Sequence, residues 1–465
     1  MSSFATRLKK KIKRSLQQSS KNETVTKEAP DARKILLLTN RDSDNVGDQV
    51  IEASDISLIK AAMKNLGQPE NSFKVVSKAA SIIPKDYVKS KDESRLESAR
   101  RNISQSDLVF FGGAPMFNYR YQIFYERTAR TIELAKEYNT PVLFSAIGVE
   151  GYDEDNAKCQ RLKETLNFDC VKRITTRDDF ESLQKYKENP DLFIDKVADP
   201  AVFCKWIFRD FITQKQDRPK KVGLFIIRAN AFVDNGIDFP WQESAQMWVD
   251  VANELEKAGY DYEFITSGHF GDEAFVDRLI REYRVPGGKC VFNINTPEDL
   301  FGHMSEYDAV ISCRLHPSII AFSMEIPSIG IIWNSKVTGF YESIGQVDRT
   351  LRPDQIKPAE IPQMIDRIIE EGVHQDEDFL MSVYKNIYSG LRDSFGFDKR
   401  DDEVYSFEEL LANLPKYKKT SKKEAEKKLR RKFRRTYDTY NQQFTQYEKV
   451  KAELKELKKR LDEEK

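Results

Sequence analysis

Ile35-Leu36-Leu37-Leu38-Thr39 runs without a charged or alternating polar residue, the mark of a strand buried on both faces of a sheet. A loop, Asn40 to Gly47, leads from it into a helical pattern ending near Gly67. The same unit recurs outward along the chain. Asp107 to Phe111 reads as a strand stopped by Gly112-Gly113, and Pro141 to Ile147 as another stopped by Gly148. A helical pattern over Ala157 to Leu166 precedes a short strand, Arg173 to Thr176. Buried strands alternating with helices predict a parallel, doubly wound sheet.

The polar stretch Phe211 to Lys221 interrupts this pattern and reads as an interdomain linker. The alternation then restarts: strands at Val222 to Ile227, Tyr262 to Thr266, Asp308 to Ser312 and Ser328 to Ile332, with helices at Glu243 to Ala258, Thr296 to Met304 and Pro317 to Met324. The fold class expected is α/β, with two Rossmann-like doubly wound domains facing a cleft and a long C-terminal helix. The boundaries are a basic N-terminal segment 1–30, a first domain 31–210, a second domain 220–375, a helical extension 376–420 and a coiled-coil helix 421–465. In that last segment Leu429, Phe433, Tyr437, Tyr440, Phe444, Tyr447, Val450, Leu454, Leu457 and Leu461 recur three or four apart, without glycine or proline. This is an imperfect heptad seam, and self-association through it is expected over a single solvated helix.

Composition excludes several classes. The 465 residues are too many for one ordinary core. Lysine plus arginine equals aspartate plus glutamate, 75 each, so net charge gives no argument for nucleic acid. The five cysteines are odd in number and lack C-x-x-C spacing, which points to reduced thiols rather than disulfides or a zinc site. No apolar stretch approaches the ~18 residues of a membrane span. The expected location is the cytoplasm, with peripheral contact at the inner face of the plasma membrane through residues 1–20. There Phe4, Leu8, Ile12 and Leu16 are spaced four apart among Arg7, Lys9, Lys10, Lys11, Lys13 and Arg14. That pattern fits a basic interfacial helix, or a solvated tail.

Ligands of open parallel sheets bind beyond the carboxyl ends of the strands, so the loops there hold the candidate residues. Asp44-Asn45-Val46-Gly47-Asp48 follows the first strand and opens a helix: Gly47 permits close backbone approach, and Asp48 is either a cleft carboxylate or only a cap. Gly112-Gly113 ends another strand. G-x-G-x-x-G is absent, so NAD is not inferred. The sharpest block is Ser312-Cys313-Arg314-Leu315-His316-Pro317. Pro317 suits a first helical turn, so an anion there meets a helix N-terminus, a guanidinium fork and an imidazole together. Arg228 and His269 end further strands, and Lys336 follows the last one.

Taken together, Asn45-Val46-Gly47-Asp48, Phe111-Gly112-Gly113, Thr176-Arg177-Asp178 with Ser182, Asp199-Pro200-Ala201, and Arg314-Leu315-His316 followed by Ala321, Pro327, Gly330, Lys336 and Gly339-Phe340 resemble the polysaccharide pyruvyl transferase family over roughly residues 33 to 350. The family often has three glycines where this chain has Gly112-Gly113-Ala114. The resemblance implies a GT-B-like fold and transfer of a pyruvyl group from phosphoenolpyruvate to a sugar of a lipid-linked or cell-envelope glycan, forming a ketal. Phosphoenolpyruvate is then a co-substrate, with no other cofactor and no metal expected. Arg314, Leu315, Arg228 and Lys336 are expected to bind the donor. His316 and Asp48 are expected to do the proton chemistry, with His269 a rival to His316, and Asn45, Gly47, Gly112 and Gly113 to lie on the acceptor side. The alternatives are a GT-B glycosyltransferase using a nucleotide sugar, or a non-catalytic envelope-assembly scaffold.

Overall fold

The computed structural model describes residues 32–119, 123–214 and 218–463. The amphipathic pattern of residues 4–16 lies outside the described residues. Two all-parallel sheets form the body. The first is ordered β2-β1-β3-β4-β5-β6, from β1 (Arg33–Thr39), β2 (Phe73–Ala79), β3 (Leu108–Gly112), β4 (Val142–Ile147), β5 (Val171–Thr176) and β6 (Phe193–Lys196). The second is ordered β11-β10-β9-β7-β8, from β7 (Lys221–Phe225), β8 (Asp261–Ile265), β9 (Ala309–Ser312), β10 (Ser328–Ile331) and β11 (Thr350–Leu351). Each strand order reverses once, between β1 and β3 in the first sheet and between β7 and β9 in the second. A crevice opens at such a switch point, and the loops after β1, β7 and β9 are those that carry Asp48, Arg228 and Arg314. The expected two-domain, doubly wound architecture is therefore present.

Burial follows the apolar runs. Ile35 to Leu38 and Val109 to Phe111 are essentially inaccessible, as strands covered on both faces require. Six helices shape the cleft: α1 (Val46–Asn65), α2 (Phe270–Tyr283), α3 (Leu315–Ser323), α4 (Ser335–Ser343), α5 (Glu377–Phe395) and α6 (Lys422–Glu463). Helix α1 is buried along most of its length because it is covered on both sides, by its own sheet and by the second domain. At its start the Val46 N–H donates to the Ser267 carbonyl at 2.7 Å, a backbone bond between the domains.

After the second domain the chain returns to the first. On α5, Tyr384 Oη donates to Asn65 Oδ1 at 2.9 Å, and Asn386 Oδ1 accepts from Arg173 Nη1 at 2.7 Å. Helix α6 is continuous, and its large apolar side chains from Leu429 to Leu461 are exposed. No helix among the described residues is long and apolar enough to cross a membrane.

Candidate active site

The loop after β1 is closed by Asn45, whose Oδ1 accepts from the Gly47 N–H at 3.1 Å. Asn45 therefore caps α1, and Asp48 is released from that role. Asp48 lies in the first turn, buried, with Asn40 Nδ2 donating to its carboxylate at 3.0 Å. Burial pushes the Asp48 carboxyl up to about 6, against the opposing pull of Ser43, Arg177, Asn40 and Arg314. Of the two roles open to Asp48, helix cap or cleft carboxylate, the geometry excludes the cap.

Gly47 explains how the two domains meet. A Cβ there would stand 2.5 Å from Cβ, Cγ and Nδ1 of His316. The glycine thus seats a histidine of the second domain directly on the first. His316 is the second residue of α3, because the helix begins two residues before Pro317, and Arg314 is the N-cap. The His316 Nε2 is buried and makes no hydrogen bond among the described residues. Burial, and then the positive charges of Arg177, Lys336 and Arg314, push this imidazole well below the ordinary histidine range. It is neutral at pH 7.

Arg314 is held by Asp272 of α2 in a two-pronged pair, Nε to Oδ2 at 2.8 Å and Nη2 to Oδ1 at 2.6 Å. Asp272 is fully buried, and its Oδ1 also accepts from the Arg228 N–H at 2.9 Å. The Arg228 side chain turns away to pair with Asp234 and is half-exposed. It therefore stands beside α2, one step removed from the His316 cluster. His269 caps α2, accepting from the Gly271 N–H at 3.2 Å, and its ring is the more exposed of the two histidines. Burial first, and then Arg314, lower its pKa. Lys336, in the first turn of α4, crosses the cleft to pair with Glu150 of the first domain. Leu315 packs its side chain against the core.

The space beside Gly112 and Gly113 is filled by protein: a Cβ would meet Asp55 Oδ2 at 2.1 Å in the first case and Ile51 Cγ2 at 2.1 Å in the second. Close packing of the end of β3 on α1 accounts for a glycine at both positions.

Three groups escaped the sequence reading of the site. Arg177, at the end of β5, is buried, pairs with Asp199, and acts electrostatically on both Asp48 and His316. Its signal was present in Thr176-Arg177-Asp178, a charge closing a buried strand. Asp272 and Glu150 gave no such signal, because only the packing of α2 and α4 makes them partners of Arg314 and Lys336.

The cleft thus gathers Asp48 and Arg177 from one domain with His316, Arg314 and Lys336 from the other, at the N-terminus of α3. The profile of the polysaccharide pyruvyl transferase family matches residues 45–335, more than half of the chain and the whole of this cluster except the parts of α4 beyond it. The chain belongs to the polysaccharide pyruvyl transferase family. A comparison with curated protein sequences finds no match. Among solved structures, a protein from Listeria monocytogenes assigned as a UDP-N-acetylglucosamine 2-epimerase is 9% identical, with TM-score 0.51, over 81% of this chain and 99% of that one. The UDP-GlcNAc 2-epimerase of Neisseria meningitidis bound to UDP-GlcNAc is 10% identical, with TM-score 0.48, over 77% and 100%. A glycosyltransferase from Rickettsia africae is 14% identical, with TM-score 0.44, over 82% and 96%. At these identities the likeness is one of fold, the GT-B-like arrangement of two domains. Family membership makes the chain a transferase of polysaccharide biosynthesis.

Proposed function

We propose that the protein transfers the pyruvyl group of phosphoenolpyruvate to two hydroxyls of a sugar, forming a ketal and releasing phosphate. The observation that carries this reading is the convergence of Arg314, Lys336, Arg177 and His316 at the start of α3, opposite the buried carboxyl of Asp48. A donor bearing both a carboxylate and a phosphate needs such clustered cations, and a helix N-terminus adds unpaired N–H groups. Protonation of the methylene carbon makes the neighbouring carbon electrophilic. One sugar hydroxyl attacks it, the bond to the phosphate oxygen breaks, and the second hydroxyl closes the ring. Of the two hydroxyl protons released, one balances the new methyl group and the other leaves with phosphate.

In this scheme His316 supplies or relays the proton. Burial is the first cause of its lowered pKa, and Arg177, Lys336 and Arg314 add to it; a bound phosphate would offset those cations, so donor binding shifts this pKa upward. Asp48 accepts the hydroxyl proton, for which it must be ionised. The rate should therefore rise as pH increases through about 6, the value to which burial lifts this carboxyl. A pH profile of kcat/KM for wild type and Asp48→Asn measures this. The variant should lose the acid limb together with about 10²–10⁴-fold of activity, and an unchanged limb would remove Asp48 from the role of base.

The deciding experiment for the reaction is incubation with phosphoenolpyruvate and lipid-linked sugars, followed by mass analysis of the glycan. Pyruvylation supports the reading. Binding and turnover of a nucleotide sugar with no use of phosphoenolpyruvate overturns it in favour of ordinary glycosyl transfer. The reading also includes self-association through residues 421–465 and reversible membrane contact through residues 1–20. Each cation near an anionic surface contributes roughly 1 kcal/mol, so the full chain should co-sediment with anionic vesicles at low salt better than a chain lacking residues 1–20. Equal binding refutes the contact.

A further inference from the structure

The first turns of α6 lie across the mouth of the cleft and touch both domains. Lys428 Nζ donates to Gln49 Oε1 at 2.6 Å, Arg431 pairs with Asp42 at 2.6 Å and Arg435 with Asp44 at 2.9 Å, all in the first domain. Lys432 pairs with Glu273 of the second domain at 2.5 Å. Positions 428, 431, 432 and 435 share one helical face. What they grip is specific. Asp42 and Asp44 belong to the loop that delivers Asn45 and Asp48. Glu273 follows Asp272, the carboxylate that holds the Arg314 fork. One helix root therefore fastens the two segments that bring the candidate catalytic groups together.

A second face of α6 has no partner among the described residues. From Leu429 to Leu461 ten large apolar side chains are 37–64% exposed, and the intervening positions are charged or polar apart from Ala452. The stripe is narrow, three or four residues between members, which is the width of a coiled-coil seam and less than the broad apolar face of a helix lying in a bilayer. It runs for more than four heptads, enough for a stable pair. Exposed ion pairs alone order a long helix poorly, because helical stability comes mainly from packing of an apolar face. Pairing of the seam and presentation of the four basic residues are thus coupled events.

We propose that residues 429–461 pair with the same segment of a second copy, and that the paired helix, through its root, holds the two domains closed over the cleft. This regulation rests on the transferase reading of the site, yet its test needs no donor or acceptor. Sedimentation gives the mass, and amide hydrogen exchange of residues 40–49 and 267–275 reports closure. The wild-type chain should have twice the mass of one copy. Tyr440→Glu with Phe444→Glu, both on the exposed stripe, should sediment as one copy and exchange about tenfold or more faster in both segments. Lys432→Ala with Arg435→Ala should remain paired and show the same faster exchange. A single-copy wild type, or a seam variant that stays paired, overturns the pairing. A single-copy wild type that floats with anionic phospholipid vesicles, and stops doing so in the seam variant, assigns the stripe to a membrane instead. Unchanged exchange in the root variant overturns the closure. Failure of the phosphoenolpyruvate reading leaves all of these readouts as they are.

Discussion

His316→Ala is expected to lower kcat/KM by about 10²–10³-fold, equivalent to roughly 2.7–4 kcal/mol of transition-state stabilisation, while the protein stays folded. Nε2 makes no hydrogen bond among the described residues, so removing it leaves no hydrogen-bond partner of that atom unsatisfied there. Arg314 behaves differently. Its guanidinium neutralises Asp272, which is fully buried. Arg314→Ala strands that carboxylate and should cost about 3–5 kcal/mol of stability in addition to activity. Arg314→Lys retains a charge but loses the fork, and separates the two effects: it should lose activity with a smaller fall in Tm. Steady-state kinetics with phosphoenolpyruvate, alongside thermal melts, make the comparison. Near-normal turnover in both His316→Ala and Arg314→Lys would remove the start of α3 from the reaction.

Gly47→Ala is expected to inactivate the enzyme without touching an ionisable group. Gly47 lies inside α1, where alanine would ordinarily gain up to about 1 kcal/mol of helix stability. Here the new methyl would stand 2.5 Å from Cβ and from two ring atoms, Cγ and Nδ1, of His316, so the ring or the domain contact must shift. A displacement of about 1 Å in a reacting group is enough for roughly a 10²-fold loss of rate. Gly339→Ala in α4 is the control, because nothing lies within 4 Å of a Cβ there. It should be neutral in activity and equal or slightly higher in Tm. If Gly47→Ala keeps wild-type kcat/KM, the seating of His316 on Gly47 has no bearing on catalysis.

Much of the architecture was legible before folding. Four strands of the first sheet and four of the second announce themselves because parallel strands covered on both faces must be apolar throughout. The three that passed unnoticed, β2, β6 and β11, stand at sheet edges. There one side faces solvent, and polar residues such as Lys74, Lys78 and Asp195 enter the strand. The C-terminal seam was likewise plain in the spacing from Leu429 to Leu461, since periodicity needs no tertiary information.

The candidate site divides along the same line. Arg314-Leu315-His316 and Asn45-Val46-Gly47-Asp48 can be found in the chain because a charged residue between a buried strand and a helix is conspicuous in one dimension. Which of Asn45 and Asp48 caps α1 is a matter of two side-chain distances, and folding settled it for Asn45. The lowered pKa of His316 comes first from its burial in the packed cleft, and then from Arg177, 139 positions away by residue number, and from Lys336, which reaches the opposite domain. The root of α6 gives the clearest separation. Sequence alone determined that residues 421–465 form a basic helix with an apolar seam. Only the tertiary structure decided that Lys428, Arg431, Lys432 and Arg435 meet Gln49, Asp42, Glu273 and Asp44 across the cleft. Helix formation follows local periodicity, whereas an ion pair needs two surfaces that only the packed domains bring within reach.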